Sequence, residues 1–67
     1  MRATPFNNYA TLAIDFMDAD TGEILDTRKS RNYDSARRFI GRWLDNQIFK
    51  SVSYKFHDDT IEVWINF

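Results

Sequence analysis

The sequence of 67 residues contains no cysteine and only one histidine, His57. Without cysteine the chain can form neither a disulfide nor a thiolate metal site. A single histidine offers one position for the base of a Ser-His-Asp triad, and no serine accompanies it convincingly. We therefore predict a protein that is not an enzyme, with no catalytic residue, no metal ligand and no cofactor.

Glycine and long apolar runs are also scarce. With only Gly22 and Gly41 the chain has no glycine-rich loop of the kind that holds phosphates. No apolar run approaches the ~20 residues of a membrane span, and the first residues lack the apolar stretch of a signal peptide. The absence of cysteine is compatible with a reducing compartment. We expect a cytoplasmic protein that has no contact with a membrane.

The first half of the sequence predicts a β-hairpin. Apolar and polar residues alternate from Tyr9 to Met17, and a second strand follows at about residues 23–29. The stretch DADTGE between them places Gly22 where a four-residue hairpin loop needs a positive φ. It does not continue as a calcium loop, because Lys29 stands where a bidentate glutamate is required.

The register of this hairpin follows from its loop. If Asp18 pairs with Glu23, Phe16 lies opposite Leu25, and the apolar faces of the two strands match. The same register makes Asp15 and Asp26 neighbours on the opposite face of the sheet.

A helix follows the hairpin. Asn32 is suited to cap its first turn, and the helix should fray near Asn46 or Gln47. Five apolar residues recur at the spacing of one helix face: Ala36, Phe39, Ile40, Trp43 and Leu44.

Alternation returns in the last third of the chain and predicts a second hairpin around a two-residue turn, Asp58-Asp59. This turn brings apolar residues opposite one another and Lys55 opposite Glu62. The predicted pairs are Phe56 with Ile61, Tyr54 with Val63, Val52 with Ile65, Lys55 with Glu62, and Ser53 with Trp64.

Together these elements predict an α+β fold, a small β-β-α-β-β domain. Its four-stranded sheet should be antiparallel or mixed, with the helix packed on one face. The first and fourth strands are the most apolar and should form the central pair. We assign residues 1–8 to a flexible N-terminal arm and residues 9–67 to the single domain.

Charge is distributed unevenly along a chain whose net charge is −1. Residues 28–42 carry six basic side chains and one acidic one, Asp34. Asp34 can pair with Arg38, and Arg42 with Asp45, along the helix. The planar guanidinium of arginine can bind either a carboxylate or a phosphate with two parallel hydrogen bonds. We predict contact with an anion or an acidic partner through this segment, the alternative being an ordinary solvated face. Its basic residues are Arg28, Lys29, Arg31, Arg37, Arg38 and Arg42.

The open face of the sheet, away from the helix, carries an unexpected aromatic residue. The helix is expected to cover Phe16, Leu25, Tyr54, Phe56, Val63 and Ile65. Trp64 then lies among small polar side chains on the other face, where its ring should be largely exposed unless the N-terminal arm covers it. We predict a partner-binding surface formed by Trp64, Met17, Ile24 and Ser53.

Two functions remain open. The first is a non-enzymatic protein–protein interaction module, with self-association through the open sheet face as one form of it. Small β-β-α-β-β chains are frequent among phage- and mobile-element-encoded inhibitors of host enzymes, and that analogy suggests an inhibitor or regulator. The alternative is a nucleic-acid-binding domain that contacts phosphates through residues 28–42.

Overall fold

The computed structural model describes residues 11–67, and its elements follow the predicted β-β-α-β-β order. The chain forms an α+β fold with one helix between two hairpins. The predicted N-terminal arm lies outside the described residues. The elements are β1 (Leu12–Asp18), β2 (Ile24–Ser30), α1 (Tyr33–Asp45), β3 (Ser51–His57) and β4 (Thr60–Asn66).

The four strands form a mixed sheet in the order β2-β1-β4-β3. β1 and β4 lie side by side in the centre and run parallel, whereas each hairpin pair is antiparallel. The prediction of a central β1–β4 pair is confirmed. Its physical cause is burial, since these two strands hold the least exposed apolar side chains of the sheet: Ile14, Phe16, Ile61, Val63 and Ile65.

The second hairpin has the predicted register throughout. Tyr54 lies opposite Val63, and Ser53 opposite Trp64. The turn is tight enough to place Asp58 in the left-handed region, at φ 53°, a conformation that aspartate tolerates better than most residues. Hairpin loop and apolar pattern agree here, so the register was readable from the sequence.

The first hairpin agrees with its predicted register only beside the loop. The amide of Asp18 donates to the carbonyl oxygen of Glu23 at 2.8 Å, as the pairing of these residues requires. Gly22 adopts φ 78°, which is the positive value expected of it. The side chain of Asp18 also accepts the amide of Asp20 at 2.8 Å, so this carboxylate stabilises the loop.

Farther from the loop the predicted register of the first hairpin is wrong. Met17 lies opposite Ile24, but Phe16 lies opposite Asp26 rather than Leu25. Leu25 is therefore the extra residue of a β-bulge. Because of this extra residue, every later side chain of β2 lies on the face opposite to the one that the regular register predicts.

The bulge moves two charged residues onto the helix side of the sheet. Asp26 and Arg28 lie on the same face as Phe16 and Ile14, their partners in β1. The expected juxtaposition of Asp15 and Asp26 is wrong for this reason, and Asp15 lies opposite Thr27 instead.

The helix begins and ends where the sequence predicts. The Asn32 side chain accepts the amide of Ser35 at 2.9 Å and caps the first turn. The helix ends at Asp45, and Asn46 forms the C-terminal cap. Ala36, Ile40 and Leu44 are buried, as expected of the apolar stripe.

Aromatic rings join the helix to the first hairpin. The Trp43 ring stacks on the ring of Phe16, with centroids 4.1 Å apart and an interplanar angle of 12°. Phe39 meets Phe16 edge-on at 6.0 Å. Phe16 is fully buried, so this cluster is the centre of the core.

The helix lies over β1 and β2 and leaves β3 uncovered. Strands in a sheet are about 4.8 Å apart, so four strands are wider than one helix of about 10–12 Å. Tyr54 and Phe56 remain 46% and 60% exposed. The expectation that the helix buries them is wrong, and so is that for Leu25, which is 39% exposed at the bulge.

Candidate functional site

An apolar groove of about 360 Å³ lies between α1 and the uncovered strand β3. We call it the aromatic groove. One wall comes from the first turns of the helix, the other from β3, and the floor from the core. Its lining residues are Tyr33, Arg37, Ile40, Gly41, Tyr54, Phe56 and Ile61.

Three exposed aromatic side chains dominate this groove. The rings of Tyr33 and Phe56 face each other across it with centroids 6.2 Å apart, and Tyr54 lies beside Phe56 on the same face of β3. Sequence analysis assigned Tyr54 and Phe56 to the core and did not single out Tyr33. The width of one helix against four strands was the signal that could have identified them.

Gly41 lies in the helix wall of the groove. A Cβ atom added at Gly41 would meet no other atom within 4 Å, so no contact in the described structure requires a glycine at this position. The missing side chain leaves the groove open beside Arg37, one helical turn earlier.

A second concave surface lies on the other flank of the helix, where α1 meets the end of β2. We call this opening of about 400 Å³ the cationic cleft. It brings together four of the six basic residues predicted to contact an anion, and no carboxylate lines it. Its lining residues are Lys29, Ser30, Arg31, Ser35, Arg38, Phe39 and Arg42.

The other two basic residues lie elsewhere. Arg28 is neutralised by Asp26, whose Oδ2 lies 3.3 Å from its Nε, and its guanidinium lies 5.4 Å from the centroid of the Phe39 ring. Arg37 lines the aromatic groove. The predicted anion-contact segment therefore divides into three environments.

The ion pairs predicted along the helix do not form. All ten acidic residues of the chain lie within the described part. Yet among the lysines and arginines of residues 11–67 only Arg28 has a carboxylate oxygen within 4.0 Å. Neither Asp34 with Arg38 nor Arg42 with Asp45 reaches that distance. The cations of the cleft consequently have no intramolecular counterion in direct contact.

Asp26 joins the helix to the sheet by polar contacts. Its Oδ2 accepts the indole Nε1–H of Trp43 at 3.0 Å, and its Oδ1 accepts the amide of Thr27 at 2.8 Å. The hydrogen bond from Trp43, opposed by partial desolvation and assisted by Arg28, lowers the pKa of Asp26 below its usual value. This carboxylate is structural.

On the open sheet face, the four residues predicted to bind a partner form one row across the strands. Ile24, Met17, Trp64 and Ser53 are successive neighbours on β2, β1, β4 and β3. The Trp64 ring, however, is half-buried rather than largely exposed. Lys55 lies over it, with Nζ 5.1 Å from the ring centroid. Ile24, at 58% exposure, is the most accessible apolar member of the row.

Glu62 ties the second hairpin together on this open face. It accepts the Nε1–H of Trp64 at 3.0 Å and lies 2.9 Å from Nε2 of His57. The contacts with His57 and then Trp64 lower the pKa of Glu62. Asp15 is its neighbour on β1. Within residues 11–67 no three His, Cys, Asp or Glu side chains converge to hold a metal ion.

No protein-family model matches the chain, and no curated protein or solved structure shows significant similarity to it. In the described part of the chain, no helix has the length and hydropathy that crossing a membrane requires.

Proposed function

We propose that this protein is a non-enzymatic protein-interaction module, and that the aromatic groove is its docking surface. One observation carries the proposal. Tyr54 and Phe56 occupy the inward positions of an alternating strand, yet they are 46% and 60% exposed because no helix covers them. Exposed aromatic residues around a concave apolar surface are typical of binding hot spots.

The charge of the groove indicates the chemistry of its partner. Arg37 is the only charged residue of its lining, and its guanidinium has no carboxylate within 4.0 Å in the described structure. A protein segment that inserts an apolar side chain between Tyr33 and Phe56 and presents a carboxylate to Arg37 satisfies both features. Such a module would act as an inhibitor or regulator of the protein it binds, in the cytoplasm.

The open sheet face supports a weaker form of the same function. Its row of Ile24, Met17, Trp64 and Ser53 offers a second contact area, through which the chain would form a homodimer. Trp64 already has contacts with Lys55 and Glu62, so less of its surface would become newly buried on binding. We therefore place the principal contact at the aromatic groove.

The test compares substitutions of residues that line the groove with a control substitution outside it. Phe56→Ser and Arg37→Glu alter the groove, whereas Ile48→Ser removes an apolar side chain that is 95% exposed and does not line it. All three should keep a cooperative thermal melt, because each residue is largely exposed. Partner capture from a cell lysate, identified by mass spectrometry, is then compared with that by the unmodified protein.

The expected result is one captured protein that Ile48→Ser retains and that both groove variants lose, with binding weakened about 30-fold for a hot-spot aromatic residue. A captured protein that all variants retain would refute docking at the groove. Sedimentation velocity over a range of concentrations shows whether a second copy of the chain is the partner instead. Trp64→Ser should abolish such self-association if it uses the open sheet face.

A further inference from the structure

We propose that the cationic cleft is a binding site for phosphate groups, separate from the aromatic groove. Three arginines and a lysine, contributed by β2, the connection to the helix and α1, line one concave surface of about 400 Å³. They are Arg31, Arg38, Arg42 and, at the boundary with the open sheet face, Lys29.

The cations of the cleft form no direct ion pair within the described part of the chain. No acidic residue lines the cleft, and none of the four has a carboxylate oxygen within 4.0 Å in the described part of the chain. The first ten residues contain no acidic side chain. Neighbouring like charges repel one another, so an anion that binds between the arginines relieves this repulsion and stabilises the fold.

The number of cations favours phosphate over carboxylate. One guanidinium already satisfies a carboxylate with two parallel hydrogen bonds. The three guanidinium groups of the cleft offer far more donors, and a phosphate group supplies more oxygens and up to two negative charges. Arg38 and Arg42 lie one helical turn apart on the same face and can contact the same group.

The remaining surface restricts the size of the ligand. Acidic residues flank the cleft on the helix at Asp34 and Asp45, and others lie in the two hairpin turns. These charges repel an extended polyanion. A ligand with one or two phosphate groups at the cleft fits this distribution, whether it is a free diphosphate or a short stretch of nucleic-acid backbone.

The experiment uses two phosphate probes and one carboxylate probe. Pyrophosphate is titrated into the protein by NMR, and a fluorescent oligodeoxythymidine of about 12 nucleotides by anisotropy. An oligoglutamate peptide of similar charge is the carboxylate probe. The variants Arg38→Gln and Arg42→Gln each remove one charge from the cleft, and Lys50→Gln removes one charge outside it.

We expect at least one phosphate probe to bind, about tenfold more weakly to each cleft variant and unchanged to Lys50→Gln. For the oligonucleotide, Arg42→Gln should also reduce the slope of log K against log salt concentration by about 0.7. Binding of pyrophosphate alone assigns the site to free phosphate ligands, and binding of the oligonucleotide alone assigns it to a nucleic-acid backbone.

Three results would overturn the proposal. The first is that neither phosphate probe binds. The second is that Lys50→Gln weakens binding as much as the cleft variants do, which would mean non-specific attraction. The third is that oligoglutamate binds as tightly as the phosphate probes, which would make the cleft a contact for acidic protein surfaces. The groove variant Phe56→Ser, which changes no charge, should leave phosphate binding unchanged, so this test is independent of the proposed protein docking.

Discussion

The two hairpins of this protein have the same length of strand but opposite relations to the helix. β1 and β2 lie beneath α1, and their aromatic and charged residues contact it through Phe16, Asp26 and Arg28. β3 and β4 keep a regular register, yet two inward residues of β3, Tyr54 and Phe56, remain in solvent. The irregular hairpin is covered on both strands, whereas the regular hairpin is buried along β4 and exposed along β3.

The difference shows how a small domain distributes its core. One helix cannot cover four strands, so it packs where two aromatic rings, Trp43 and Phe39, can enclose Phe16. The bulge in β2 turns Asp26 toward the helix, where its carboxylate accepts a hydrogen bond from the Trp43 indole. In the other half only β3 keeps exposed apolar side chains, and these side chains line the aromatic groove.

Removal of an aromatic ring from each half should produce the largest contrast. Trp43→Ala loses the stack on Phe16 and should cost about 3–5 kcal/mol. A domain of this size has little more stability than that, so the variant should be unfolded at room temperature. Phe56→Ala removes a ring that is 60% exposed and should cost less than about 1 kcal/mol. Circular dichroism melts of both variants measure the difference.

Equal losses in these two variants would contradict the comparison. A cooperative melt for Trp43→Ala near that of the unmodified protein would mean that the helix does not hold the core. A collapsed melt for Phe56→Ala would mean that the side chains of β3 belong to the core after all.

Replacement of the two glycines by alanine should have smaller effects on stability, and these effects should be opposite in sign. An added Cβ meets no atom within 4 Å at either position, but Gly22 has a φ of 78°. Gly22→Ala should therefore destabilise by about 1 kcal/mol, whereas Gly41→Ala in the helix should stabilise by about 0.5–1 kcal/mol. Melting temperatures should move down and up respectively, by about 4–8 °C for each kcal/mol. A lower melting temperature for Gly41→Ala would show that the groove wall needs a glycine.

The smallest expected effect is a pH dependence in the covered half. The lowered pKa of Asp26 contributes stability that is fully present above the pKa of the unfolded chain, about 3.9, and is lost as pH falls through the pKa of the folded protein. Asp26→Asn should therefore flatten the fall in urea midpoint on acidification below about pH 4. Trp43→Phe, which keeps a ring and removes the indole donor, should flatten it as well. Parallel pH profiles for the unmodified protein and Asp26→Asn would refute this role of the carboxylate.

Local patterns predicted most of the architecture. The Asn32 cap, the helix stripe and the second hairpin register follow from side chains a few residues apart, and the structure confirms them. The candidate surfaces were less predictable. The positions of Tyr54 and Phe56 depend on how far the helix reaches, and the freedom of Arg38 and Arg42 depends on pairs with Asp34 and Asp45 that spacing allows but the structure does not form.

The sequence by itself determined the order of the elements, the turns and the central position of β1 and β4, because hydrophobic periodicity and turn residues act over short distances. The bulge at Leu25, the placement of the helix over β1 and β2, and the exposure of β3 were decided only by the tertiary structure. The physical reason is that one helix can bury only part of the apolar face of a four-stranded sheet. A strand pattern shows which face is apolar, but the packing of the whole domain decides which apolar faces its single helix can bury.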